Sequence, residues 1–299
     1  RRNEHINQGL PLGYGCLSAQ NAHKLNKPVG FIPSFNSTVT RSNQLSVPAA
    51  SPSKKLLRPT FSIRAQGDRC LSLDFGDEID MQTGLICLAT SAALREAQIP
   101  GVSDVVPSYT AVAVHYQPSS EVPDLSFASL SDKITELLNR GLPEVDTSSR
   151  EVEVPVCYGG EHGPDLKDVA QRMGVTEEQV IELHTAPGSM VFTLGFAPGL
   201  PYIGVHDPIF AIPRRDVPRT AVPRGSVAIA NRQTTIYPNL LPGGWHILGA
   251  TPMQMFDMHR TPPSLLMPGD RVRFVRITKE EFDRIASEQG TAPAVGAKV

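Results

Sequence analysis

The chain has 299 residues, with 28 basic and 30 acidic side chains and a formal net charge of -2, which leaves room for one or two domains. That balance gives no charge-driven reason to expect nucleic acid, and no apolar run approaches the roughly 20 residues a membrane-spanning helix needs. Four cysteines (Cys16, Cys70, Cys87, Cys157) form no CxxC pair and no His cluster at ligand spacing, which argues against a metal site or a disulfide scaffold and makes a soluble intracellular protein the expectation.

Charge is unevenly spread. Residues 1–65 carry nine basic residues against Glu4, a charge of +8 that leaves -10 for residues 66–299. Basic, Ser-rich and acid-poor, this stretch reads as a disordered or transit-peptide-like tail ending near Ile63-Arg64-Ala65. A cytoplasmic protein, or a plastid or mitochondrial one if the tail is an address, follows from it.

Residues 66–156 read as an α/β domain. Leu71, Leu73 and Phe75 alternate as in a strand, and Asp80 or Thr83 can cap a helix with Leu85, Ala89 and Ala92 on one face. Val102–Val106 and Val112–Tyr116 predict a hairpin about Pro107 and Ser108. Phe127, Leu130, Ile134, Leu137 and Leu138 recur at helical spacing, and Val152, Val154 and Val156 alternate afterwards. The expected order is β-α-β-β-α-β, a ferredoxin-like arrangement. His115 falls in the strand pattern as a structural residue.

From Asp165 to His184 two short helices flank Met173-Gly174-Val175, the outline of a helix-turn-helix, but Asp165, Asp168, Glu177, Glu178 and Glu182 outnumber Lys167 and Arg172 and would repel phosphates. A structural helical hairpin is expected. Residues 157–285 then read as a small β-barrel, with 286–299 a flexible tail. Thirteen prolines between Pro187 and Pro268 permit only short strands joined by fixed turns. The strands expected are Val191–Leu194, Ser226–Ala230, Thr234–Tyr237, His246–Leu248 and Arg271–Val275.

Three loop segments concentrate Gly, Pro and aromatic residues: Leu194 to Tyr202, Val222 to Ser226, and Gln233 to Pro238 followed by Pro242-Gly243-Gly244-Trp245. Together with Tyr158-Gly159-Gly160-Glu161, Gly163-Pro164-Asp165-Leu166, Pro213-Arg214, Thr251-Pro252 and Pro268-Gly269-Asp270, they closely resemble the KipI family. That family includes the B-type subunit of the bacterial ATP-dependent 5-oxoprolinase and the allophanate hydrolase subunit 1 type domain of urea amidolyases. The resemblance covers residues 66 to about 280 and implies an α+β protein, an N-terminal α/β domain followed by a cyclophilin-like barrel. It further implies work beside a sister cyclophilin-like subunit of KipA type and a LamB-type subunit, opening 5-oxoproline to glutamate at the expense of ATP. A kinase inhibitor and a carboxyltransferase component of a urea or allophanate route are the alternatives. Asn231 and Thr235 stand where the family usually has glycine, and Ala250 where Arg is common.

The chain has no Walker loop, and Gly195, Gly199 and Gly204 do not match GxGxxG. An ATP site, with magnesium, is therefore expected to be composite with a partner subunit, and no biotin-attachment Met-Lys-Met occurs here. Arg214, carried by the family motif, and Arg224 are cationic candidates. His184 matches a family histidine and reads as acid, base or ligand clamp, or as a hydrogen-bonded helix-terminal residue. Gln233 and Ser226 can offer hydrogen-bond donors, while Tyr202 and Tyr237 can wall a pocket with polar tips. Gly195, Gly199, Gly225, Gly243 and Gly244 permit backbone shapes that side chains resist. Phe196 and Pro198 add to an apolar partner surface, with Trp245, the sole tryptophan, as a core or interface plug.

Overall fold

A computed structural model describes residues 56–143 and 150–290. Most of the tail expected over residues 1–65, and the last nine residues, lie outside these. Residues 56–65 correct the tail's boundary: β1 (Leu56–Leu57) pairs with β6 (Leu142–Pro143), and β2 (Ser62–Ala65) lies antiparallel on β3 (Cys70–Asp74).

The first sheet has the order β2-β3-β5-β4, with β4 (Val102–Pro107) and β5 (Ala111–Tyr116) forming the expected hairpin. β3 runs through α1 (Met81–Glu96) to β4, and β5 lies between the two strands, which is the split crossover anticipated. The ferredoxin-like order fails at its last strand. The alternating valines of 152–156 belong instead to β7 (Glu151–Tyr158) of the barrel, and the sheet edge they were expected to fill is taken by β2. A period-two pattern fixes which side chains share a face, not which sheet they join.

Asp80 caps α1, its Oδ1 accepting from the Thr83 amide at 2.9 Å. The helix buries Cys87, Ala89 and Leu94 in the sheet's core, while Leu88 packs with Met190 and Phe192 of the barrel. Because it is covered on two sides, no single apolar stripe describes it, and Ala92 is exposed. α2 (Phe127–Asn139) buries Leu130, Ile134 and Leu138 on the same core behind a Ser126 capping box.

Seven strands close the barrel in the order β11-β12-β9-β8-β15-β7-β14. α3 (Leu166–Met173) and α4 (Glu177–Thr185) are the expected helical hairpin, turned at Gly174 with φ 69 and restarted by the Thr176 capping box. β8 (Ser189–Leu194), β9 (Pro201–Gly204), β11 (Ser226–Ala230), β12 (Gln233–Ile236), β14 (His246–Ala250) and β15 (Arg271–Arg276) complete it. A two-stranded ribbon, β10 (Arg219–Val222) with β13 (Leu241–Gly243), stands beside the barrel. α5 (Lys279–Glu288), behind a Thr278 capping box, covers Cys157 and Ala250 with Phe282 and Ala286. This helix crosses the boundary expected at residue 285. Val156, Ile203, Val227, Ile236 and Phe274 fill the barrel's interior. Among the described residues no helix is long and apolar enough to cross a membrane.

Candidate functional site

β9 and β12 pair antiparallel with Thr235 opposite Tyr202 and Thr234 opposite Ile203. Alternation along the strands therefore sends Ile203 and Thr234 into the barrel and Tyr202 and Thr235 to its outer face. Tyr237 follows Thr235 on that face, and the β10–β13 ribbon brings Pro218, Pro242, Gly243 and Gly244 across from it. With Phe196, Leu200, Arg214 and Trp245, these residues enclose a cavity of about 250 Å³. Its walls are aromatic: the Tyr202 and Trp245 rings meet edge to face with centroids 6.0 Å apart. The cation among its lining residues is Arg214, whose guanidinium lies 5.6 Å from the centre of the Trp245 ring. That separation is within the range of a cation–π contact.

Tyr237 and Thr235 bring buried hydroxyl groups into this wall. Burial, then the neighbouring Tyr202, push the Tyr237 hydroxyl up to about 12, so at neutral pH it is a neutral donor. A Cβ at Gly243 would lie 2.1 Å from the Tyr237 hydroxyl, so glycine is what allows the ribbon to close this tightly on the ring. The Thr235 hydroxyl is buried and has no hydrogen-bond partner among the described residues.

Beside the cavity, and sharing Phe196 with it, is an open hollow of about 440 Å³ lined also by Gly195, Ala197, Pro198, Gly199 and Phe256. Phe196 holds a left-handed φ of 67 and leaves 65% of its surface exposed. A bulky residue in that region is strained by about 1 kcal/mol or more.

Several expected site residues are elsewhere. His184 lines neither hollow. It is fully buried in the barrel, where Tyr158 Oη meets its Nδ1 at 2.7 Å and Thr234 Oγ1 meets its Nε2 at 2.9 Å. His206 Nε2 reaches the same Thr234 oxygen at 2.8 Å. A hydroxyl carries a single proton, so Thr234 donates to one imidazole and accepts from the other. Burial holds His184 well below the ordinary histidine range, and burial with the nearby Arg232 charge pushes His206 down to about 4. Both rings are neutral, and the network satisfies polar groups inside an apolar barrel. Gln233 begins β12 on the cavity's side but beyond its rim. Ser226 is buried in β11, its carbonyl accepting from the Tyr237 amide at 3.0 Å. Gly225, at φ 80, backs onto the Thr251 carbonyl. Arg224, half-buried, lines neither hollow.

Sequence reasoning passed over the residues that hold the cavity wall. Asp165 occupies the N-cap position of α3 yet makes no capping bond. Its carboxylate accepts from Arg219 Nη1 and Nη2 at 2.8 Å each, Arg215 Nη1 at 3.0 Å and the Ile247 amide at 2.8 Å. Burial raises its carboxyl, but the Arg219 bonds, the Ile247 amide and the two arginine charges outweigh this and hold it below the ordinary range. The acidic count around it concealed the role, although Arg215 and Arg219 four residues apart flanking Pro218 offered a signal.

The family described as carboxyltransferase domain, subdomain C and D, matches residues 61–266. The B-type subunit of 5-oxoprolinase from Bacillus subtilis (strain 168) is 38% identical over 234 residues, covering 76% of this chain and 98% of that protein. The protein of the same name from Escherichia coli O157:H7 is 41% identical over 186 residues, 61% of this chain and 82% of that one. Among solved structures, TTHA0988 superimposes with a TM-score of 0.61 at 38% identity, over 70% of this chain and 40% of that chain. This chain thus matches less than half of that longer protein. The K. lactis urea amidolyase shares the fold, with a TM-score of 0.62 at 20% identity over 81% of this chain and 16% of that one. With a family match over more than half its length, the chain belongs to the carboxyltransferase domain, subdomain C and D, family.

Proposed function

We propose that this chain is a subunit of an ATP-dependent 5-oxoprolinase, active with partner subunits, and that its aromatic cavity receives the five-membered lactam. The observation that carries the reading is the 38% identity spanning 98% of a protein named as a 5-oxoprolinase subunit. The cavity is consistent with it. About 250 Å³ suits a single small ring, Tyr202 and Trp245 offer flat walls, and Arg214 can meet a carboxylate at the mouth.

The described residues do not fit a nucleotide. One cation lines the cavity, too few to neutralise a triphosphate, and no described group of three or more His, Cys, Asp and Glu could hold a metal ion. ATP and magnesium belong in this reading to a site completed by the sister KipA-type and LamB-type subunits. The sister subunit would cover the cavity mouth, where Phe196 at 65%, Val217 at 75% and Leu240 at 62% stand exposed beside cavity residues. Mixing the three subunits and following glutamate release from 5-oxoproline and ATP tests the reading. Absence of turnover in a verified complex refutes it.

A further inference from the structure

We infer that Asp165 is a positioning residue for the cavity, fixing the loop that presents Arg214. The inference rests on the reading of that cavity as a ligand site. Asp165 touches no part of the cavity itself. It stands where a helix cap belongs, but its carboxylate turns from the helix to grip Arg215 and Arg219 on either side of the segment that follows Arg214 and contains Pro218. The grip is buried: Asp165 is 6% exposed and Arg219 13% in their side chains. Its fourth bond, from the Ile247 amide, ties the same carboxylate to the strand that follows Trp245.

The segment is fixed at two further points. The Arg215 amide donates to the Gly244 carbonyl at 2.7 Å, and His246 Nε2 lies 3.0 Å from the Pro213 carbonyl. Arg214 is held differently. Its side chain is exposed and rests on the Trp245 ring. An exposed arginine samples many rotamers, so its placement depends on where the backbone starts it. A bidentate Arg219–carboxylate pair sets that start geometrically. The carboxylate of Asp165 offsets one of the two neighbouring cations, Arg215 and Arg219, and Asp216 between them supplies a second negative charge, so the net charge the segment offers to the cavity is that of Arg214.

Trp245 is the sole tryptophan, so its emission reads the Arg214 stack in the full-length protein with no ligand present. Arg214→Ala should displace that emission. Asp165→Asn should displace it equally, and the double variant should add nothing. A folded Asp165→Asn protein with wild-type emission overturns the inference, as do effects that simply add, since a merely structural carboxylate has no reason to couple to a side chain it does not touch. Arg215→Gln keeps the Arg219 pair and guards against loss of folding in the first variant. It should give part of the same displacement, and wild-type emission there counts against the inference. Titrating 5-oxoproline against the same proteins should show about a tenfold loss of affinity in each single variant and no further loss in the double. If the wild type does not bind 5-oxoproline, the proposed function fails, while the ligand-free emission still decides the role of Asp165.

Discussion

Replacing His206 by Gln should remove a defined part of the protein's acid sensitivity. The native imidazole titrates at about 4 because it is buried beside Arg232, whereas in the unfolded chain it titrates near 6.5. A folded value below the unfolded one means that, under acid conditions, the unfolded state binds the proton first. The stability is then complete above pH 6.5 and is lost as the pH falls toward 4. Each unit of pH in that window removes up to about 1.4 kcal/mol for one site, so His206 accounts for a loss on the order of 1 kcal/mol at pH 5.5 and about 2–3 kcal/mol at pH 4.5. His184 acts in the same direction. Gln can keep an Nε2 donor toward Thr234 without titrating. Urea unfolding at pH 7.5, 6.5, 5.5 and 4.5 should show a shallower decline in His206→Gln than in the wild type, by about those amounts. Parallel pH profiles for the two proteins would refute the reasoning and place the His206 proton on a hydrogen-bonded, stabilised imidazolium.

Thr235→Val replaces a buried hydroxyl lacking a partner among the described residues with a methyl group of similar shape. It should raise stability by about 1 kcal/mol in urea unfolding, whereas a loss would show that the hydroxyl is satisfied. Gly84→Ala should destabilise by about 1–2 kcal/mol despite alanine's better helix propensity, because its Cβ would fall 2.0 Å from the buried Phe192 ring. An increase in unfolding midpoint would contradict this. The double variant Phe196→Ala, Tyr202→Ala should stay folded and lose the sister subunit in co-purification, the two anchors together being worth more than about 2 kcal/mol if they are interface hot spots. Retention of the partner at full strength would put the interface elsewhere, and unfolding would assign these rings to the core.

What the sequence reveals about this protein divides along short and long range. The hairpin β4–β5, the helical hairpin and strands β11, β14 and β15 follow from local periodicity, capping residues and prolines, and they stand close to where those signals place them. β9 escaped notice because it begins with Pro201 between two loop-like runs, a position a strand start tolerates. β2 escaped because Ser62–Ala65 is a mostly exposed edge strand inside a basic, Ser-rich stretch. Tyr202, Tyr237 and Trp245 were legible as one neighbourhood through their Gly- and Pro-rich loops, whereas Arg214 stood out only through the family motif Pro213-Arg214. The place of His184 was not legible, because its partners Tyr158, His206 and Thr234 come from three other segments and only the closed barrel brings them together. Thr234 and Thr235 are adjacent and chemically identical, yet one serves the core network and the other the cavity wall. Strand alternation separates them once the inward face is known.

The parallel seam between β7 and β15 joins residues about 120 positions apart, Glu151 beside Arg271 and Val156 beside Arg276. During synthesis the ribosome must therefore emit almost the whole described chain before the barrel can shut. Until Phe274 arrives, its neighbour His184 lacks an apolar cover that stands 4.4 Å away in the finished protein. The four-stranded N-terminal sheet, assembled from nearby segments, has no such wait and can form first. A chain cut short before β15 would leave the barrel's inner surface open to aggregation, so a ribosome stalled late on this message would pose more hazard than one stalled early.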